Sequence, residues 1–462
     1  MQETEKKDIN LLDFQKVGKS GVPYEILDDK IAEYITQTQL NVFIMNGVPY
    51  LYRRGVYRRD EDGKILKAHI KALIWPELVT ISRINRVYGL ILADYRLTKS
   101  NDDVNQYPPY WINFINGMYD PVKCVMYEHN PEYYSINQVP HKYEPLAEYE
   151  GGTADQFLKG LFPDARDREM FLAYAGYCMT VDTSLQKFMV IVGFPGSGKS
   201  TAINMLINAV GKENVSSITL QDLNERFMPT ELLGKLLNAC ADLPKKALEQ
   251  VDAIKRITGE DIVKGEYKGG KIFTFYSYAK LLYSANEMPV NLDEKSEAFY
   301  RRLLAIEVKQ KGSYILDLKQ GLEKDMPGFI CECVSALSRM YANGGVIDSP
   351  NSKALVHEFH RESDSVQSFL DDCIVRKTGA RIERGELHRR YEEYCRDNDW
   401  TALNNRSFFK NLRGKGFTDY TAADGHRYFR DMCGITADYQ TFTAGFFPAS
   451  DSDKAIFSRK NM

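Results

Sequence analysis

Along the 462 residues, short β-branched apolar runs alternate with longer stretches whose apolar positions recur at helical spacing. The centre of the chain shows this most plainly. After Lys187, Phe-Met-Val-Ile-Val192 is continuously apolar, the pattern of a strand buried on both faces of a parallel sheet. Ile203, Leu206, Ile207 and Val210 then repeat at helical intervals, and Gly211 supplies a stop. Lys235–Ala241 and Lys280–Ala285 are two further apolar runs, each followed by a polar side chain, Asp242 and Asn286. Leu303-Leu-Ala-Ile306 is another, preceded by Arg301-Arg302. Strands alternating with helical stretches predict an α/β fold built on a parallel sheet.

The flanks read differently. The first twenty or so residues are polar and predict a mobile lead-in. Leu40–Met45 and Val48–Tyr52 around Asn46-Gly47 predict a hairpin. Gly55–Tyr57 and Ile65–Lys67 flank Asp60-Glu-Asp-Gly63; Asp60-x-Asp62 has the look of a metal pair but reads better as an Asp-Gly turn tip. Lys67–Leu97 has helical spacing, and 106–145 is rich in aromatics and proline, suiting short strands and turns. Gly151-Gly152 is a plausible joint before helices at 153–161 and 166–179, the second capped by Asp164. Residues 315–345 are helical, and Ser349-Pro350-Asn351-Ser352 marks a linker. Helical stretches at 354–375, 386–395 and 405–412 are followed by β-formers at 416–418 and 428–429 around Asp424-Gly425, a winged-helix pattern. The expected division is 1–150, 151–348, 349–434 and a tail, 435–462, without clear period.

Candidate chemistry sits at the strand ends. Gly193-Phe194-Pro195-Gly196-Ser197-Gly198-Lys199-Ser200 is G-x-x-x-x-G-K-[ST], the Walker A phosphate loop, placed after a strand and before a helix as that motif requires. Its glycines let backbone N–H groups turn inward around a phosphate, and the helix beginning near Ser200 and Thr201 points its positive end at the same place. ATP and Mg²⁺ are the expected ligands, with Lys199 on the β- and γ-phosphates and Ser200 on the metal. Asp242 ends its strand as a Walker B acid would, reaching the same metal. Lys264, Lys268 and Lys271 surround Gly265, Gly269 and Gly270 between β-formers, so a hairpin with a basic tip is expected; on these residues alone a solvated surface turn serves equally. Asn286 could hold the attacking water, and Arg301-Arg302 could be solvated, salt-bridged or directed at a neighbouring subunit's nucleotide. Between 405 and 430 six Lys/Arg, among them Arg406, Lys410 and Arg413, face two Asp.

Composition narrows the picture modestly. Sixty Lys+Arg against 63 Asp+Glu give a net charge of −3, so any nucleic-acid surface must be local. The eight cysteines are scattered with no C-x-x-C pair and read as reduced core residues. The polar N-terminus lacks a signal peptide and no apolar run is long enough for a membrane span, so a cytoplasmic protein of a bacterial host is expected.

Taken together, these residues resemble the helicase half of phage and plasmid primase–helicases, related to the poxvirus-type primase-helicase, in helicase superfamily 3 of the AAA+ ATPases. The most specific part is Ile257-Thr-Gly-Glu-Asp261, Lys268, Phe273-Thr-Phe275, Asn286-Glu-Met-Pro289, Asp293 and Phe299-Tyr-Arg-Arg302. Asn113–Asp120 and Gly55–Tyr57 look like the domain preceding the motor. The resemblance implies an AAA+ P-loop domain between an α/β N-terminal segment and a winged helix. It implies a hexameric ring unwinding DNA, with Lys268 and Lys271 on single-stranded DNA in the channel. Asn286 would be the sensor, and Arg302 or Arg301 an arginine finger acting in trans. Duplex DNA is expected at the winged helix, and a separate primase as partner, because no primase domain precedes the motor. An origin-binding initiator with the same motor and a non-translocating AAA+ switch are the alternatives. Ala241-Asp242-Leu243 departs from the family's paired acids and leaves the general base open.

Overall fold

The computed structural model describes residues 10–241, 243, 252–270, 272–287, 297–309, 315–398 and 400–434. They fall in two compact units, which divide between Val356 and His357.

The first unit opens with β1 (Gln15–Val17), β2 (Pro23–Ile26), α1 (Asp28–Tyr34), β3 (Val42–Met45), β4 (Val48–Arg53), β5 (Val56–Arg59), α2 (Lys64–Ala72) and α3 (Ile81–Ala93). β1 and β2 pair, and β3, β4 and β5 form an antiparallel sheet. The β3–β4 turn has Asn46 and Gly47 both at positive φ, as an Asn-Gly hairpin requires. Three expectations need correction. Residues 10–20 are not a loose lead-in: Phe14 is buried, and the Gln15 amide donates to the Leu73 carbonyl at 2.9 Å. The stretch 67–97 is two helices, parted where Trp75 is extended before Pro76. Asp60 opens the expected Asp-Gly turn, its carbonyl accepting from Gly63 N at 3.0 Å, yet leads into a helix and not a second strand. It is buried and accepts from Ile65 N at 2.9 Å and Leu66 N at 2.8 Å, capping α2, so 65–67 is helical.

β6 (Ile112–Phe114), β7 (Gly117–Asp120) and β8 (Val125–Tyr127) form a small antiparallel sheet. Its Ile112, Phe114 and Tyr119 enter the same core as the central sheet, whereas the preceding elements enclose a core of their own around Ile31, Leu66, Ile70 and Val87. A further cluster of Phe43, Met45 and Tyr57 with Tyr134 and Ile136 joins the two. α4 (Thr153–Leu161) and α5 (Ala165–Tyr177) follow, and Asp164 caps α5 through Arg166 N at 2.8 Å.

The central elements are β9 (Phe188–Gly193), α6 (Lys199–Val210), β10 (Val215–Ser216), β11 (Leu237–Cys240), α7 (Asp252–Thr258), β12 (Ile262–Glu266), β13 (Ile272–Tyr276), β14 (Lys280–Ala285), α8 (Glu297–Tyr300) and β15 (Leu303–Val308). Five of them make a parallel sheet in the order β10-β11-β14-β9-β15, while β12 and β13 form a separate hairpin. β9 and β14 are buried at every position, which is why they read as mainly apolar runs, although β14 also buries Lys280 and Ser284. α9 (Leu318–Lys324) and α10 (Met326–Ala342) close the core, α10 lying so near α5 that a Cβ on Gly176 would meet the Cys333 carbonyl at 2.4 Å.

α11 (Pro350–Ser363) carries the chain into the second unit: α12 (Ser365–Cys373), β16 (Ile374–Glu383), α13 (Arg384–Asp397), α14 (Asn405–Gly414), β17 (Asp419–Thr421) and β18 (Arg427–Gly434). The three strands form an antiparallel sheet, β16-β18-β17, whose Ile382 and Phe429 meet Phe369, Leu387, Tyr391 and Phe408 in one core. β16 is absent from the sequence reading. Its apolar residues lie at its two ends, and its middle bulges at Gly379, whose N–H donates to Asp431 at 2.8 Å.

Candidate functional site

The parallel sheet brings three chain segments to one edge. Register sets Ala285 opposite Val192, so Asn286 follows β14 level with Gly193 at the end of β9. β11 runs beside β14, and Leu243 N donates to Ser284 O at 2.7 Å, fixing its outgoing chain at that edge. Asp242 itself lies outside the described residues.

The Gly193–Ser200 loop turns through Gly196 and Gly198, both in the left-handed region at φ 76° and 108°. Open space surrounds the Cβ direction of Gly196, whereas a Cβ on Gly198 would press on Leu161 at 3.1 Å. Lys199 is buried at the start of α6. Its ammonium donates to the Gly193 carbonyl, to Phe194 O at 3.0 Å and to Asn286 Oδ1 at 3.2 Å. The cation and the amide at the end of β14 thus meet directly. Ser197 Oγ is buried with no hydrogen-bond partner among the described residues, a donor turned into the loop. Thr201 N closes on Gly198 O at 3.0 Å; Phe194, Pro195 and Ser200 are exposed. Backbone N–H groups, a buried hydroxyl, an ammonium and a helix start fit a polyphosphate. The exposed Ser200 hydroxyl in the first turn suits a hard cation that keeps most of its waters.

Arg301 and Arg302 lie just before β15, at the sheet edge away from this loop, because β15 runs parallel to β9 from Leu303 beside Phe188. They are not equivalent. Arg302 is buried, donating to Ala298 O at 2.6 Å and toward Gln186 Oε1 at 3.4 Å, and burial beside Arg301 lowers its pKa. Arg301 is exposed.

The basic hairpin forms as expected. Gly270 N donates to Tyr267 O at 2.7 Å and Gly269 has φ 78°, giving a type II turn with exposed Lys268 at its second position. Lys264 is exposed on β12 opposite Thr274, and Lys271 lies outside the described residues. The hairpin is clamped by residues that carry no sequence signal of their own. Arg226 grips Glu266 through two contacts of 2.8 Å, Asn101 donates to Thr274 O at 2.9 Å, and the Arg59 guanidinium lies 5.6 Å from the Tyr267 ring centre.

In the second unit α14 presents Arg406 and Lys410 to solvent. Arg413 is engaged: its guanidinium forks onto Asp419 at 2.9 and 2.8 Å.

Three family models match the chain: D5 N terminal like over residues 59–163, a family of unknown function (DUF5906) over 191–302, and Poxvirus D5 protein-like over 361–419. L207/L206 of Acanthamoeba polyphaga mimivirus, which bears a helicase name, is 23% identical over 328 residues. That alignment covers 63% of this chain and 33% of the mimivirus protein. Two apo structures of the NrS-1 C-terminal region share the fold, with TM-scores of 0.51 and 0.52 at 12% and 13% identity; each alignment covers 87% of this chain and 98% of the other. In these segments the chain is similar to D5-type primase-helicases. Its D5 N terminal like match runs from the end of β5 to just past α4, and its Poxvirus D5-like match from α11 to the start of β17. The loop, β14 and the basic hairpin all fall within the match to the family of unknown function. Among the described residues no helix is long and apolar enough to cross a membrane.

Proposed function

We propose that the chain is an ATP-hydrolysing DNA helicase motor of superfamily 3, serving replication of a phage, prophage or mobile element as a hexameric ring. The observation that carries this is the meeting of Lys199 with Asn286 at 3.2 Å over a glycine loop that also buries an unpartnered serine hydroxyl. The sheet order supports an AAA+ reading. Numbered along the chain it is 2-3-4-1-5, with the loop strand β9 between the last two strands in chain order. The helix-strand-helix-helix-strand-strand order of the second unit supports a winged helix, with Arg406 and Lys410 of α14 toward duplex DNA.

In this reading the loop N–H groups and Ser197 hold the β- and γ-phosphates. Lys199 leaves its carbonyl partners for the transferred phosphoryl, and Asn286 turns to position the attacking water. Mg²⁺, held by Ser200 and Asp242, would neutralise charge developing on the phosphates. Arg301 lies at the opposite sheet edge and serves a neighbouring copy's nucleotide rather than its own. Lys268, with Lys264 and Lys271, grips the phosphate backbone of a single strand, a contact insensitive to sequence and sensitive to salt. Lys199→Ala tests the reading: ATP turnover should fall more than tenfold with the fold intact, and retention of about a tenth or more of wild-type turnover would overturn catalytic use of the loop.

A further inference from the structure

We propose that the outward face of the second unit's sheet binds single-stranded DNA, at a site separate from α14. The inference rests on the reading of the chain as a DNA motor and adds a second place where a strand is held.

Ile382 and Phe429 are register partners on β16 and β18, and both point into the core. Side chains alternate along a strand, so Arg381, Tyr428 and Arg430 face outward. Register sets Arg381 directly opposite Arg430, and Tyr420 directly opposite Tyr428. The Arg381 guanidinium lies 4.5 Å from the Tyr428 ring centre, and that of Arg430 lies 4.4 Å from the Tyr420 ring centre. The two rings are 6.1 Å apart. Two cations and two rings therefore interleave across three strands.

Like charges directly opposite on a ladder are unfavourable unless something neutralises them. Elsewhere in the unit this is done internally: Arg361, Arg384, Arg389, Arg390 and Arg413 each pair with a carboxylate. Among the described residues Arg381 and Arg430 form no ion pair. Asp424 attracts Arg381 without closing to an ion pair, and the nearby carboxylates accept from other donors. Glu383 accepts from Glu386 N at 2.9 Å, Asp431 from Gly379 N at 2.8 Å, and Asp424 from the Tyr428 hydroxyl and His426 N, both at 2.9 Å.

A guanidinium laid on a ring is held in place, so little freedom is lost when its edge meets a phosphate and its outer face meets a base. A duplex offers such a surface phosphates only, because its base faces are stacked inside. A single strand offers both, which matches alternating cations and aromatic rings. Arg406 and Lys410 on α14 have no aromatic partner among the described residues, so that helix supplies charge alone.

The test uses the full chain without nucleotide, in a Lys268→Ala background that silences the hairpin, with fluorescein-labelled oligo-dT and a blunt duplex as probes. Replacing both Arg381 and Arg430 with Ala should weaken oligo-dT binding about tenfold and leave duplex binding within about twofold. Replacing both with Lys keeps the charge and the fold and should restore only part of the loss, since an ammonium does not stack. Oligonucleotides carrying 5-iododeoxyuridine should cross-link to the Tyr420 or Tyr428 strand. Unchanged oligo-dT affinity in the double Ala variant, or equal losses for oligo-dT and duplex, would overturn the proposal. A parent chain that binds neither probe, with or without the Lys268 change, would overturn the motor reading itself.

Discussion

Arg301 and Arg302 are adjacent, and their substitutions should have opposite signatures. Arg302→Ala removes two buried methylenes, about 0.8 kcal/mol each, and strands the Ala298 carbonyl, about 1 kcal/mol. Relief of the buried charge offsets part of this, leaving a net loss of about 2 kcal/mol. In a unit of this size that lowers the melting temperature by about 3 °C. Arg301 is exposed, so Arg301→Ala should change stability by less than about 0.5 kcal/mol. If Arg301 serves a neighbour's nucleotide, however, its loss should cut DNA-stimulated ATP turnover about a thousandfold. The assay pairs thermal melts with ATPase rates over a dilution series. Adding Lys199→Ala subunits to Arg301→Ala subunits should recover some activity, because mixed rings contain intact interfaces. The reasoning fails if Arg302→Ala melts like wild type yet abolishes turnover while Arg301→Ala stays active.

Two further outcomes test the core. The Lys280 amine is buried, donates to the Thr180 carbonyl and lies 4.7 Å from the Tyr177 ring centre; burial lowers its pKa from 10.5 to about 8. Below about pH 8 both folded and unfolded chains carry the proton and the burial cost is fully present. Between about 8 and 10.5 only the unfolded chain keeps it, so stability should rise with pH by about 3 kcal/mol relative to Lys280→Met, measured by urea unfolding; parallel curves for the two proteins would refute this. Gly176→Ala should cost about 3 kcal/mol in a thermal melt, because its Cβ would meet the Cys333 carbonyl at 2.4 Å and Leu337 Cβ at 2.9 Å, both on α10.

The parallel strands were legible because burial on both faces leaves few polar positions to blur them, Asn238, Lys280 and Ser284 among them. Lys280–Ala285 and the run after Lys187 fall where the apolar residues predict. The hairpin and its turn were legible because Lys268-Gly269-Gly270 has the residues a type II turn demands. What the sequence hid depends on tertiary partners. Asp60 caps α2 only because the chain folds back to offer Ile65 N and Leu66 N. β16 is strand by virtue of its pairing with β18, since a bulge interrupts its own pattern. The difference between Arg301 and Arg302 arises from the packing of Ala298 and Gln186 around one of them. The clamp of Asn101, Arg226 and Arg59 on the hairpin joins positions far apart in the chain, a relation no local motif encodes.

The central claim is that ATP hydrolysis at the glycine loop drives a basic hairpin along DNA. Lys268→Ala addresses it most directly, because Lys268 is exposed at the turn and its loss should leave the fold intact. The measurement is strand displacement on 3′- and 5′-tailed forks, with DNA-free ATP turnover recorded on the same preparation. The account predicts near-normal turnover without DNA together with loss of DNA stimulation and of unwinding, since every subunit of a ring forfeits a phosphate contact. Unwinding by Lys268→Ala at the wild-type rate would contradict it.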